Sequence, residues 1–383
     1  MKLVLFFNEF KSLWNFYGKT KKSDREIVFY SEDKGSYSFF EGLIDYLTNQ
    51  ENLKICYVTS DIHDPILTQT KTNVNALYIK SLLPLFTLTL TSKLLIMTVP
   101  DLHRFHIRRS EFSTHHIYML HNTGSSFPVI RYGALFHYDT IFCAGPQHNE
   151  EIRKQETIYD LPEKNLLNFG YYRLEKIYSE NGRYIPSKAS ASQYKASILL
   201  GPSWGENSVL NFCGSRLIRI LLQSNYEVIV RPHPMTRRKS HGLIESLNNE
   251  FRDYDNYVFA DDISSIKAIY ESDLLISDWS GFVYEYAFGT ERPVLFIDVP
   301  QKIVNHRYKE VGIEPIDVGI RNRIGEVLGV DELEKADSVI THLLANKDAF
   351  VNEIVKTRNE YVYNFGNSSK VGAEFIREFI KES

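Results

Sequence analysis

The sequence predicts an α/β protein made of two doubly wound, mainly parallel-sheet domains. Three observations carry this. The 383 residues leave room for two domains at roughly 150 residues each. Short apolar runs alternate with amphipathic segments along most of the chain, the pattern of α/β layers. The alternation breaks once, between Ser179 and Tyr194, and then begins again. Hydrophobic residues make up 43% and charged residues 24%, with 20 glycines and 13 prolines, which excludes disordered, collagen-like and coiled-coil classes.

In the first half, apolar runs fall at Glu26 to Tyr30, Leu53 to Thr59, Leu94 to Thr98, His116 to Leu120 and Asp139 to Ala144, with an amphipathic helix at Phe39 to Thr48. Leu82 to Pro100 is the most membrane-like stretch. Lys93 interrupts it and Pro84 and Pro100 bracket it, so it reads as a helix followed by a buried strand. A polar helix rich in Glu and Gln and a short strand near Leu166 to Phe169 follow. The Ser179 to Tyr194 segment has few large apolar side chains and reads as the linker.

The second series runs strand Ser197 to Gly201, helix Val209 to Gln223, strand Glu227 to Arg231, helix Gly242 to Glu250 and strand Tyr257 to Ala260. It continues with helix Ile263 to Glu271, strand Leu274 to Ser277, helix Phe282 to Phe288 and strand Pro293 to Asp298. The remainder reads as mainly helical. The expected domains are 1–185, 195–355 and a C-terminal helix, 356–383, that folds back across the boundary. Ligands of such sheets bind at the carboxyl ends of the strands, so residues just after strands are the ones to inspect.

Charge and cysteine content narrow the class. Forty-four basic against 48 acidic residues give a net charge of −4, which argues against a general nucleic-acid binder. Cys56, Cys143 and Cys213 are odd in number and widely spaced; no disulfide framework or CxxC metal site is expected, and the compartment reads as reducing. Met1 to Phe7 is apolar but short, with no small-residue cleavage site before Asn8 and Glu9, so a signal peptide is not expected and cytoplasmic residence is. His103, His106, His115 and His116 fit no compact zinc spacing, and no metal is assigned.

Three loops carry chemistry. Arg231-Pro232-His233-Pro234 ends a strand; the prolines fix the backbone around His233 and Arg231 offers a planar fork to phosphate oxygens. The same residues also read as a rigid turn with solvated charges. Asp278-Trp279-Ser280-Gly281 leads from a strand into a helix, whose amide-rich start suits a phosphate; Ser280 or Asp278 also reads as a plain helix cap. His121-Asn122-Thr123-Gly124-Ser125-Ser126 follows a strand, where His121 is placed as a general base, or else is a hydrogen-bonded structural histidine.

With Gly201-Pro202-Ser203-Trp204, the Arg231 to Pro234 motif, and Ser277 to Ser280 running on to Arg292-Pro293-Val294-Leu295-Phe296, the chain resembles the CDP-glycerol glycerophosphotransferases of teichoic-acid and capsule synthesis. The resemblance implies a GT-B type fold: two Rossmann-like domains facing across a cleft, an acceptor-side first domain and a donor-binding second. It covers chiefly Leu166 to Asp298. By position it makes His121 the catalytic base and gives His233 and Arg231 to the donor-phosphate motif. Ser280, Asp278 and Gly281 line the donor phosphates, Pro202, Ser203, Trp204 and Glu285 meet the nucleotide donor, and Arg173, in Gly170-Tyr171-Tyr172-Arg173, joins Asn122 and Thr123 in the cleft. The chain departs from the family where a lysine normally follows the base, and at Gly281, where a second serine is common.

The expected reaction is transfer of glycerol phosphate, or a similar polyol phosphate, from a CDP-linked donor to an acceptor hydroxyl with release of CMP. No cofactor is expected beyond that donor substrate. A polysaccharide or polyol-phosphate acceptor, and peripheral contact with the inner face of the membrane, complete the expected partners. Basic clusters at Lys19, Lys21, Lys22 and Arg25, and at Arg104, Arg108 and Arg109, suit anionic headgroups or a growing polyanion; Asp24 and Glu26 interleave with the first, which favours the second. The alternatives are a glycosyltransferase of the same fold using a UDP- or CMP-sugar, a nucleotide-sugar 2-epimerase that needs no acceptor, and a binding protein on a degenerate transferase scaffold.

Overall fold

The computed structural model describes residues 2–184, 193–260 and 266–382. The chain divides into two compact units, the first comprising Met1–Arg173, Val304–Ile313 and Tyr361–Ser383 and the second Leu174–Ile303 and Glu314–Glu360. The chain therefore passes from one unit to the other four times, and the division falls ahead of the expected boundary at residue 185. Part of the expected linker, 185–192, lies outside the described residues, and its beginning belongs to a helix.

The first unit opens with helix α1 (Lys2–Trp14) and then alternates β1 (Ile27–Ser31), α2 (Tyr37–Asn49), β2 (Ile55–Thr59), β3 (Val74–Tyr78), α3 (Leu83–Leu88), β4 (Leu94–Met97), β5 (His115–Met119), β6 (Thr140–Cys143), α4 (Pro146–Ile158) and β7 (Asn165–Asn168). Its seven strands lie in the order β3-β2-β1-β4-β5-β6-β7, all parallel. The central strands β1, β2 and β4 to β6 are buried along nearly all their length, as a sheet covered on both faces requires. Alternate residues of one strand feed opposite layers: Val28 and Tyr30 pack with Phe86 and Leu90, while Ile27 and Phe29 pack with Phe40, Leu43 and Leu47 of α2.

Helix α5 (Tyr172–Asn181) starts at the crossover into the second unit. There follow β8 (Ser197–Leu200), α6 (Val209–Phe212), α7 (Gly214–Gln223), β9 (Glu227–Val230), α8 (Pro234–Lys239), α9 (His241–Phe251), β10 (Tyr257–Phe259), α10 (Lys267–Glu271), β11 (Leu274–Ser277), α11 (Phe282–Thr290), β12 (Val294–Asp298), α12 (Ile316–Ile324), β13 (Gly325–Gly329), α13 (Ala336–Ala345) and α14 (Lys347–Tyr361). The sheet order is β10-β9-β8-β11-β12-β13, again parallel throughout. The expected helix Val209 to Gln223 is broken at Cys213, whose backbone leaves the helical region (φ −149°). Part of the expected helix from Ile263 lies outside the described residues.

The sixth strand of this sheet, β13, was not expected in the stretch read as mainly helical. All five of its residues pair with β12. A Cβ on Gly325 would lie 1.7 Å from the Val294 carbonyl oxygen, so only glycine permits this approach. Helix α15 (Ser368–Glu382) then returns to the first unit and packs on α2, with Ala373 and Ile376 buried in its core.

Candidate active site

In the second unit the strands β8, β9 and β11 end side by side, so the loops that follow them are neighbours by topology. Asp278 organises them. Its buried carboxylate accepts the backbone N–H groups of Ser203 (2.7 Å) and Val209 (2.9 Å), while Ser277 Oγ donates to the Gly201 carbonyl at 2.7 Å. Burial raises the Asp278 carboxyl above the usual range, against the lowering effect of the bonds from Val209 and Ser203. Asp278 was expected to line the donor phosphates. Both its oxygens are instead engaged by the Gly201 to Val209 loop, so its part is to hold that loop in place.

The loop so held presents Trp204, and basic residues gather on that ring. The Lys302 ammonium lies 3.0 Å and that of Lys239 4.9 Å from a Trp204 ring centroid. The His233 ring stands 6.2 Å from it, centroid to centroid. Burial, with the charges of Lys302 and Arg231, pushes the His233 imidazole down to about 4. Its Nδ1 accepts the Met235 N–H at 3.0 Å, which leaves the proton of the neutral ring on Nε2. Burial and Lys239 push the Lys302 amine down to about 8, with Asp278 acting in the opposite sense. Like charges held this close disfavour one another and are what a polyanion needs.

Arg231 is placed by Phe282 at the start of α11. Its guanidinium carbon lies 4.6 Å from that ring's centroid, and the same ring closes on Gly201, where a Cβ would lie 2.7 Å from Phe282 Cε1. Arg237 is turned to a structural task, donating to the Ala260 carbonyl and covering Phe259. Ser280 Oγ accepts the Phe282 N–H at 3.3 Å, so it serves the helix start. Gly281 is in the helical region (φ −59°), and Glu285 is half-buried one turn further on.

In the first unit the loop after β5 is fixed by α4 from behind. Gln147 Nε2 donates to the Thr123 carbonyl at 2.6 Å, His148 Nε2 meets the Gly124 carbonyl at 2.9 Å, and Glu151 accepts both the amide (2.9 Å) and the hydroxyl (2.7 Å) of Ser126. Burial pushes His148 down to about 4, so it bonds as a neutral donor. Asn122 Oδ1 closes a turn on the Gly124 N–H at 3.0 Å. Thr123 was expected to face a ligand; only 1% of it is exposed, and it anchors the loop. His121, half-buried, packs on Phe39 at 4.8 Å. The same Phe39 stacks on Tyr171 and lies 5.7 Å under Arg173, whose Nη1 donates to Ser38 Oγ at 2.8 Å. Phe39 thus joins His121 to Tyr171 and Arg173, 50 and 52 positions further along the sequence.

Sequence reading missed Phe39, Phe282 and Lys302 as site residues; Lys239, with Arg237 and Arg238, reads only as part of the basic run that follows His233. A lysine four residues past the end of β12 carries no motif, and only the fold brings it to Trp204. Among the described residues no group of three or more His, Cys, Asp or Glu side chains is arranged to hold a metal ion.

Residues 14–303 match a family model described as CDP-Glycerol:Poly(glycerophosphate) glycerophosphotransferase. The chain belongs to that family. It is accordingly a CDP-glycerol glycerophosphotransferase-like transferase. No curated protein matches it by sequence. Among solved structures, the wall teichoic acid polymerase TagF, soaked with CDPG, aligns with a TM-score of 0.61 at 14% identity, over 100% of this chain and 99% of that one. A putative UDP-N-acetylglucosamine 2-epimerase from Listeria monocytogenes aligns with a TM-score of 0.57 at 11% identity, over 94% of this chain and 98% of that one. At such identities the likeness speaks for the fold, which is of the GT-B type.

Proposed function

We propose that this family member transfers glycerol phosphate from CDP-glycerol to a hydroxyl of a polyol-phosphate or polysaccharide acceptor, releasing CMP. The observation that supports it most is the family match over residues 14–303, because the cationic cluster on Trp204 is built from residues inside that span. The acceptor oxygen attacks the phosphorus bearing glycerol, a new P–O ester forms, and the bond to the bridging oxygen breaks, so that oxygen leaves with CMP. His121 takes the hydroxyl proton. Arg231, Lys302 and the Nε2–H of neutral His233 stabilise charge gathering on the diphosphate, with Trp204 beneath the donor.

Ser203 and Pro202 shape the donor loop, and Ser280, Gly281 and Glu285 lie on the donor side at the start of α11. Asn122 and Arg173 belong to the acceptor side. No cofactor takes part. The enzyme works in the cytoplasm, in peripheral contact with the inner face of the membrane, and its product enters a teichoic-acid-like or capsule polymer; the three free cysteines agree with a reducing compartment.

The test is mass spectrometry of the purified chain with CDP-glycerol, CDP-ribitol, UDP-sugars or CMP-sugars, each with and without a short polyol-phosphate acceptor. CMP release from CDP-glycerol that rises with acceptor is the expected result. Consumption of a nucleotide sugar alone, with CDP-glycerol untouched, would overturn it.

A further inference from the structure

Asp278 and Trp279 are the first two residues after β11, and β11 lies between β8 and β12 in the sheet. Their side chains serve opposite neighbours. Asp278 holds the loop after β8 through the N–H groups of Ser203 and Val209, and that loop carries Trp204. Trp279 holds the loop after β12: its Nε1–H donates to the Val299 carbonyl at 2.7 Å, three positions ahead of Lys302. The two loops meet where the Lys302 ammonium stands 3.0 Å from a Trp204 ring centroid. Two consecutive residues after one strand therefore set both halves of that contact.

The root of the Lys302 loop is held from several sides. The Val299 N–H donates back to the Ile297 carbonyl at 2.9 Å, and Pro300 fixes the next φ. Val299 is only 3% exposed, a depth at which a carbonyl needs a donor, and the indole supplies it. Arg321 of α12 lies against that indole, its guanidinium carbon 4.2 Å from the Trp279 ring centroid and 5.2 Å from that of Phe296. Its Nη1 donates to Oδ1 of Asp298, the last residue of β12, at 2.9 Å. Asp298, Val299, Trp279 and Arg321 thus close a ring around the point where the chain leaves β12.

Arg321 is 7% exposed, and its Nε and Nη2 are buried with no hydrogen-bond partner among the described residues. A guanidinium buried so incompletely paired destabilises a fold, and methionine or leucine would fill the space without that cost. What arginine adds is a flat cover for the indole, pinned to the stem of the Lys302 loop.

We propose that Trp279 is a positioning residue of the donor site, holding the loop after β12 so that Lys302 stands over Trp204, and that Arg321 locks the indole in that task. Both act through Lys302. The inference rests on the transferase reading above, in which Lys302 meets the donor diphosphate.

The test places Trp279→Phe, which keeps a ring and loses the N–H, in the wild-type and Lys302→Met backgrounds. In the first, the KM for CDP-glycerol should rise about three- to ten-fold, the value of one hydrogen bond. With Lys302 already gone, the same change should add less than about two-fold. Arg321→Met keeps most of the packing and drops the link to Asp298; it should show the same dependence on Lys302, and it decides the matter if Trp279→Phe does not fold. A tryptophan with a merely structural role would raise KM equally in both backgrounds. That result, or no rise in the wild-type background, would overturn the proposal. A second readout needs no substrate. The Lys302 amine, assigned in NMR spectra by its loss in Lys302→Met, should titrate at about 8 in the wild-type chain and climb toward 10.5 in Trp279→Phe. A loosened loop returns the amine to water and takes it from Lys239, which outweighs the loss of the opposing influence of Asp278. An unmoved titration would also overturn the proposal. If the wild-type chain releases no CMP from CDP-glycerol, the transferase reading falls, and the titration still decides whether Trp279 places Lys302.

Discussion

Lys302 holds its ammonium 3.0 Å from the ring centroid of Trp204, with Lys239 at 4.9 Å from a centroid of the same side chain. The aromatic face offsets part of what crowding two cations costs, and the arrangement keeps both amines ready for an anion. Lys302→Met is therefore expected to raise the donor KM by about ten- to a hundred-fold, the value of a charge-assisted bond to phosphate. Steady-state kinetics with varied CDP-glycerol measures it; an unchanged KM would remove Lys302 from the donor site.

The same amine gives a pH signature. Its pKa of about 8 in the free protein means that the charge is present below that pH and lost above it. The profile of kcat/KM, which reports the free enzyme, should fall on the alkaline side of pH 8. In Lys302→Met that limb should disappear.

His121 is expected to act on kcat and hardly at all on donor binding. His121→Ala should lose about 100-fold or more in turnover while CDP-glycerol affinity, followed by calorimetry, stays within a few-fold of wild type. Turnover near wild type would return His121 to a structural role against Phe39.

His233 is expected to be a neutral donor through Nε2. Its imidazole nitrogen chemical shifts should report the Nε2–H tautomer from pH 8 down to about 5 in the free protein, and titrate near 4. His233→Gln, which keeps an N–H near the same place, should retain more donor affinity than His233→Ala.

His148 links acid stability to the loop that carries His121. Its folded value of about 4 lies below the unfolded 6.5, so between those values the unfolded chain binds the extra proton. Stability is thus lost as pH falls from 6.5 toward 4, by on the order of 3 kcal/mol if the full difference is realised. In His148→Gln, which keeps a donor for the Gly124 carbonyl, chemical denaturation over that window should show a correspondingly flatter dependence.

The parts legible in the sequence were those with a local signature. Buried strands such as Ile55–Thr59 and Leu274–Ser277 announce themselves as apolar runs, and the motifs after them fall where strand order brings loops together. β13 was not legible, because Gly325-Glu326-Val327-Leu328-Gly329 has too few apolar residues to read as a strand; its identity comes from how closely β12 approaches it. Asp278 looks like a helix cap in the text and becomes a loop anchor only when Ser203 and Val209 are folded onto it. Lys302 and Phe39 contribute through tertiary placement alone.

The return of α15 to the first unit sets an order of events during synthesis. Ala373 and Ile376 complete a layer that includes Phe142 and Phe169, and a Cβ on Gly372 would collide with the Phe169 ring at 2.5 Å. On the ribosome, the sheet made first must wait, with that face uncovered, until the last segment emerges. The second unit draws on residues no later than Glu360 and so has all its parts sooner. The N-terminal sheet is thus the last to be finished, and a chain cut short before residue 368 leaves it open to chaperones and proteases even though every one of its strands has been made.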